Sequence, residues 1–280
     1  MPTVDYGNLG RACYKTLKSN LFFGFHTDMV EWLVPADVGL TASVSLIVFS
    51  AVTSFVTAAA GIGGGIMMVA VMAVLMPAQA LIPVHGLVQI GANGGRAAIL
   101  LRQVQWQVLA PFCAGSVVGA AIGGLTVVEL DPATLNIGLA CFILYSVWAP
   151  PLTAPGRFKV VATGAFSSFL TMFFGATGTF VFAMVKSMRL GRLDHVATHA
   201  ACMLAQHFIK VIAFGLLGFN YGPYAGLVAA MIASGFLGTL VGKHVLVKMN
   251  DAIFHRVLAV MLSLLALRLL YEGIVLLGWL

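Results

Sequence analysis

The chain has 280 residues, of which 60% are hydrophobic and only 9% are charged, and its mean hydropathy is +1.01. Soluble domains carry about 25% charged residues, so this composition excludes an ordinary soluble protein and predicts a membrane protein in contact with the lipid bilayer. The net charge of +6 is typical of basic cytoplasmic loops in a membrane chain, and we expect no nucleic-acid partner.

Residues 1–40 have mixed polarity and are interpreted as an N-terminal segment. Five apolar residues fall there at helical spacing, with charged residues elsewhere on the wheel; they are Phe22, Phe25, Met29, Trp32 and Leu33. This pattern predicts an amphipathic helix that lies on the membrane surface. The segment has no compact apolar stretch followed by a cleavage site, so we do not interpret it as a secretory signal peptide.

Ten apolar runs follow this segment. A helix needs about 20 residues to cross a bilayer, so the runs at 66–76 and 180–190 are too short to cross alone. Each of these two runs follows a glycine-rich break. The ten runs cover about 41–60, 66–76, 81–101, 107–128, 133–150, 158–174, 180–190, 195–218, 222–246 and 253–271.

The two breaks belong to an internal repeat. The offset is 114 residues, the separation between Gly61 in the first break and Gly175 in the second. The same offset aligns Gly64 with Gly178, His85 with His199, and Arg96 with Lys210. This register predicts two repeats, at 41–150 and 158–280, joined by a linker at 151–157.

Loop charge predicts how the repeats are oriented. Basic loops are usually cytoplasmic, which places both ends of the second broken segment inside, so that this segment enters the membrane and returns. Each repeat then has three crossings, an odd number, and the repeats are inverted. We therefore predict an all-α polytopic membrane protein of two inverted-topology repeats, each a glycine-broken re-entrant helical hairpin plus three transmembrane helices. The basic loops lie near 102, 157–159, 186–192 and 243–256.

The breaks themselves suggest a binding site. Unwound backbone at membrane depth is tolerated where it lines a cavity or is buried in protein, and the helices that restart after each break begin with free N–H groups and a positive dipole end. These features favour an anion. The alternative is that the glycines only permit tight helix packing. The candidate residues are Gly61, Gly63, Gly64 and Gly65 in the first break, and Gly175, Thr177, Gly178 and Thr179 in the second.

A stripe of polar residues follows each break on the next helix. Polar side chains within a membrane usually face the bundle interior or a water path, so we add them to the predicted substrate-binding residues. The two basic residues lie near helix ends, and the alternative for them is that they extend to the membrane surface. The first stripe is His85, Gln89, Asn93 and Arg96, and the second is His199, Gln206, His207 and Lys210.

No acidic residue lies in the middle of an apolar run. Cation carriers and proton pumps usually place a carboxylate there, so the pattern indicates an anion transporter. One alternative is a soft-metal permease that uses histidine together with Met68, Met72 and Met76. Another alternative is an intramembrane enzyme that uses His85 and His199.

Three motifs resemble the TauE/SafE sulfite exporter family, also called the toluene-sulfonate uptake permease family. They are GIGGG at 61–65, LMPAQALIPVHG at 75–86 and GATGTF at 175–180, and the resemblance covers about 41–272. The second break departs from the fuller glycine run because it contains Thr177 and Thr179. The resemblance implies a secondary transporter of small sulfur-containing anions, such as sulfite or organosulfonates.

The leading interpretation is thus a multi-pass anion permease or exporter of the cell inner (plasma) membrane, which binds its substrate at the midplane between the two broken hairpins. We expect a transporter and not an enzyme, with no cofactor and no metal site. Histidines that titrate near neutral pH leave proton coupling open, and sodium coupling and a homodimer also stay open.

Overall fold

The computed structural model describes residues 32–60, 63–127, 131–149, 158–245 and 251–278, and in these ranges all regular structure is helical. Only the last two residues of the predicted surface helix, Trp32 and Leu33, are within the described chain, and both are helical. From Leu40 onward the described residues form ten α-helices, which are α1 Leu40–Ala60, α2 Gly64–Leu75, α3 Ala78–Ile99, α4 Trp106–Val127, α5 Pro132–Trp148, α6 Lys159–Phe174, α7 Gly178–Lys186, α8 Arg192–Leu216, α9 Ala225–Val245 and α10 Asp251–Leu276.

The helices coincide with the ten predicted apolar runs to within a few residues, so the all-helical prediction is confirmed. Helices α2 and α7 have only 12 and 9 residues, well below the length that crosses a bilayer. Within the described ranges, four stretches are long and apolar enough to cross a membrane by length and composition. They are Leu40–Ala58 in α1, Trp106–Thr126 in α4, Leu193–Leu216 in α8, and Gly222–Gly242, which includes most of α9.

Two glycines with positive φ mark the ends of the interrupted helices. Gly63, with φ of 105°, precedes the first turn of α2, and Gly175, with φ of 76°, follows the last turn of α6. Residues with a Cβ rarely adopt these conformations. Glycine therefore allows the chain to leave the helical path at both points.

Helix α5 begins at a capped turn. Thr134 donates two hydrogen bonds to the Asp131 carboxylate, from its hydroxyl (2.6 Å) and from its backbone N–H (3.0 Å), and Pro132 occupies the first helical position. These bonds favour the charged carboxylate and lower the pKa of Asp131 below its ordinary value. Asp131 and Pro132 are thus the start signal of α5.

The two short helices lie inside the bundle. Met68 and Met72 of α2 have no exposed surface, and they belong to a core that also includes residues of α1, α3, α5, α9 and α10. Val181 and Val185 of α7 form a second core with residues of α4 and α8. Around these cores α4 packs along α6, α9 along α1, α5 along α10, and α3 along α8.

Glycines bring the backbones of two of these helix pairs into contact. A Cβ placed on Gly119 of α4 would lie 1.9 Å from the carbonyl oxygen of Ala165 in α6. A Cβ on Gly238 of α9 would lie 2.0 Å from the carbonyl oxygen of Ala51 in α1. Small residues at such contacts let membrane helices gain van der Waals energy from close approach.

We predict that Gly119→Ala lowers the melting temperature of the detergent-solubilised protein, because the added methyl group forces α4 and α6 apart at a cost of about 1–3 kcal/mol. Gly124→Ala, in the same helix, is the matched control. A Cβ there meets only side-chain atoms of Leu217 and Met172, at 3.5 and 3.7 Å, so its melting temperature should not fall. Equal melting temperatures for both variants would contradict the close-packing account.

Candidate functional site

A cavity of about 40 Å³ lies where the two broken segments approach α3 and α8. Ten predicted site residues line it: Gly63, Gly65, His85, Gln89, Asn93, Arg96, Gly178, Thr179, His199 and His207. Two stretches far apart in sequence, each a break followed by a polar stripe, therefore contribute to one cavity.

Five other predicted residues lie near the cavity but do not line it, and Gly61 is outside the described residues. Gly64 faces α1, because a Cβ on it would lie 1.8 Å from the Thr57 hydroxyl oxygen and 2.2 Å from the Thr53 carbonyl oxygen. Its position thus suits close packing of α2 against α1. The remaining four are Gly175, Thr177, Gln206 and Lys210.

Thr177 and Gln206 form a buried hydrogen-bonded pair. The Thr177 hydroxyl donates to the Ser167 carbonyl (3.0 Å) and accepts a hydrogen bond from Nε2 of Gln206 (2.8 Å). These bonds connect the second break to α6 on one side and to α8 on the other. The Thr177 hydroxyl is thereby occupied by protein partners.

Lys210 reaches the end of α6 from α8. Its side chain is 0% exposed, and Nζ donates to the carbonyl oxygen of Gly175 at 3.3 Å. The free carbonyls and the negative dipole end at a helix C-terminus favour a cation. Lys210 therefore stabilises the broken end of α6, and it does not extend to the membrane surface.

Arg96 lies at the end of a chain of side chains on α3. The Asn93 amide donates to Oε1 of Gln89 (3.1 Å), and the Arg96 guanidinium donates to Oδ1 of Asn93 (2.8 Å) and to the Ala92 carbonyl (3.2 Å). All three polar stripe residues line the cavity. The network fixes the guanidinium beside the cavity while leaving donors unused, since a guanidinium has five N–H groups.

His85 and His199 make corresponding contacts in the two halves of the chain. Nε2 of His85 donates to the Gly65 carbonyl (3.1 Å), and Nε2 of His199 donates to the Gly178 carbonyl (3.2 Å). Each histidine thus holds the first turn of the short helix that follows the break. The first N–H groups of a helix have no partner within their own helix, and Gly65 and Gly178 of these first turns line the cavity.

His207 lies against His85 with both of its ring nitrogens unused. The ring centroids are 5.7 Å apart at an interplanar angle of 79°. His207 is 0% exposed, and within the described ranges neither of its ring nitrogens has a hydrogen-bond partner. Nδ1 of His85 also lacks a partner there. Buried polar atoms are rarely left without a partner, so these atoms point to a ligand.

The charge around the cavity is positive and is not balanced by acidic side chains. Among the residues that the structure describes, no aspartate or glutamate lines the cavity. Within the described ranges, only Arg268 and Glu272 on α10 form an ion pair. Neither Arg96 nor Lys210 therefore has a carboxylate partner there. This combination of cations, N–H donors and hydroxyls can bind a small anion.

Four lining residues were not among the predicted site residues: Thr57, Ile66, Ala176 and Met203. Met203 lies four residues after His199 and four before His207, so the helical period could have identified it. Met68 and Met72, considered above for a soft metal, are core residues of α2. Among the described residues no three His, Cys, Asp or Glu side chains are grouped closely enough to hold a metal ion.

A family model described as Sulfite exporter TauE/SafE matches residues 46–269, which is most of the chain. The matched span includes both breaks and every residue that lines the cavity. Comparisons with curated proteins and with solved structures gave no match.

Proposed function

The chain belongs to the TauE/SafE sulfite exporter family, and from this premise we propose that it carries sulfite or a similar small sulfur-containing anion, bound in the cavity between the two breaks. Membership confirms the resemblance carried by the glycine-rich motifs. Together with the four long apolar helices, it identifies a multi-pass membrane protein of exporter type. The soft-metal alternative is not favoured.

The observation that carries the proposal is the unbalanced positive charge at the cavity. Removing an ion from water costs several kcal/mol unless a partner compensates. The Arg96 guanidinium lines the cavity, and the Lys210 ammonium lies at Gly175, directly after the last turn of α6. A bound anion would supply the compensating charge, and a guanidinium binds oxyanions with two parallel hydrogen bonds.

The volume of the cavity supports a small substrate. One water molecule needs roughly 10–15 Å³, so about 40 Å³ accommodates an ion of a few heavy atoms, such as sulfite. The proposed substrate-binding residues are the ten predicted ones that line the cavity, with Thr57 and Met203 added.

We further propose that the two halves, 41–150 and 158–280, are inverted repeats in the inner membrane, each with a re-entrant hairpin. Helices α2 and α7 begin at Gly64 and Gly178, the same offset that aligns the two breaks. The packing supports this relation, because exchanging the halves converts the α4–α6 pair into the α9–α1 pair. Lys159 at the start of α6 donates to the Ser187 hydroxyl after α7 (3.1 Å), so the two ends of the second hairpin meet.

The topology can be tested with single cysteines in a variant that lacks the four native ones. We expect Phe158→Cys and Gly191→Cys to be protected from an impermeant thiol reagent in intact cells, because both lie at the cytoplasmic ends of the hairpin. Asn220→Cys should be labelled. All three positions are exposed on the protein. Labelling at 191 combined with protection at 158 would mean that α6 and α7 together cross the membrane, and the re-entrant hairpin would be wrong.

The binding site can be tested by removing its guanidinium. Arg96→Gln should weaken sulfite binding about 10- to 100-fold, since hydrogen bonds to charged groups contribute about 1.5–3 kcal/mol. Lys210→Gln should cost less affinity, because its ammonium is engaged by the Gly175 carbonyl. The measurement is the sulfite Kd by titration calorimetry in detergent.

The matched control for this experiment is Arg102→Gln, which makes the same change of charge at an exposed position outside the cavity. It should leave the Kd unchanged. Wild-type affinity in Arg96→Gln would show that the guanidinium does not contact the anion and would remove the main support for the proposed site.

A further inference from the structure

His85 has a fixed tautomer as long as its ring is neutral. Its Nε2 lies 3.1 Å from the Gly65 carbonyl, and because a carbonyl oxygen can only accept, Nε2 must carry the hydrogen. In a neutral imidazole the other nitrogen is then an acceptor. This acceptor, Nδ1, is buried and has no hydrogen-bond partner among the described residues.

His207 adds a second acceptor at the same place. A neutral imidazole has one donor nitrogen and one acceptor nitrogen, and both nitrogens of His207 are buried without a partner. The two rings contact each other edge to face, and both residues line the cavity. Together they offer two acceptors and one donor that nothing in the described chain satisfies.

The groups around these rings favour the neutral form of both. Lys210 follows His207 by one helical turn, and its ammonium binds the Gly175 carbonyl. A Cβ on Gly175 would lie 3.3 Å from Nδ1 of His85, so this cation and His85 meet at the same glycine. Arg96 and His199 are the other titratable residues of the lining in the described part of the chain, and no acidic side chain lines the cavity there. Further positive charge on either ring would face Coulomb repulsion without compensation.

On the basis of the proposed function, we propose that the site selects an oxyanion that keeps one proton on oxygen, which for sulfite is the hydrogen sulfite monoanion. Its O–H donates to a histidine acceptor, and its other oxygens accept from Arg96, the first-turn N–H groups and the Thr179 hydroxyl. The proton then crosses the membrane as part of the substrate. A sulfonate has the same charge but no O–H, so it leaves both histidine acceptors unpaired.

The test is titration calorimetry of the full-length protein in detergent with sulfite and with methanesulfonate. Each titration is run from mildly acidic to mildly alkaline pH in two buffers that differ in ionisation enthalpy, which reports protons taken up on binding. We expect proton uptake with sulfite to rise toward one per ion at alkaline pH, where free sulfite is a dianion. Methanesulfonate should bind at least tenfold more weakly than sulfite at acidic pH and without uptake.

Three results would overturn this inference. Equal proton uptake with both anions would mean that a histidine takes the proton. Sulfite binding at alkaline pH without uptake would mean that the dianion is bound. Binding of neither anion would contradict the proposed function itself, and this inference with it.

Variants of His207 test which atom receives the O–H. His207→Leu removes the acceptor and should abolish the preference for sulfite over methanesulfonate, whereas His207→Gln keeps a carbonyl acceptor and should retain part of it. His195→Leu is the matched control, since this histidine lies on the same helix but does not line the cavity. A melting curve for each variant establishes that it is folded. An unchanged preference in the folded His207→Leu protein, or an equal loss in His195→Leu, would overturn the assignment of His207.

Discussion

Helices that stop inside an apolar bundle leave backbone groups without partners, and the rest of the structure depends on how these groups are satisfied. In a membrane each unsatisfied group costs several kcal/mol. The Gly175 carbonyl at the end of α6 accepts hydrogen bonds from the Thr171 hydroxyl and from Lys210. His85 and His199 donate to the Gly65 and Gly178 carbonyls in the first turns of α2 and α7. Protein donors thus close the broken end of α6, while in our proposal the N–H groups that begin α2 and α7 bind the ligand.

Lys210 and Arg96 occupy equivalent positions in the predicted repeat, but they have different roles. Lys210 lies on a helix C-terminus and compensates a negative dipole end. Arg96 donates to Asn93 and Ala92 on its own helix and lines the cavity. A symmetric sequence relation therefore produces an asymmetric site. We propose that Lys210 stabilises the end of α6 and that Arg96 contacts the substrate.

Much of this architecture could be predicted from the sequence, because hydropathy and glycine position determine where membrane helices begin and end. Residues of both polar stripes line one cavity, and a helical period of about four places His85 and Gln89 on one face. The sequence could not predict which of the candidate residues face a ligand and which only contact other protein groups. Whether Gly64 approaches a ligand or the backbone of α1 depends on tertiary packing, and that the Thr177 hydroxyl is occupied depends on Gln206, 29 residues away.

The central claim is that the two breaks enclose one anion site. The most direct measurement is anomalous diffraction from crystals grown with selenite, a sulfite analogue whose selenium atom can be located by its scattering. If the two breaks enclose one anion site, we expect one strong anomalous peak in the cavity, with selenite oxygens within hydrogen-bonding distance of Arg96 and His207. A peak elsewhere in the bundle, or an empty cavity at saturating selenite, would contradict it.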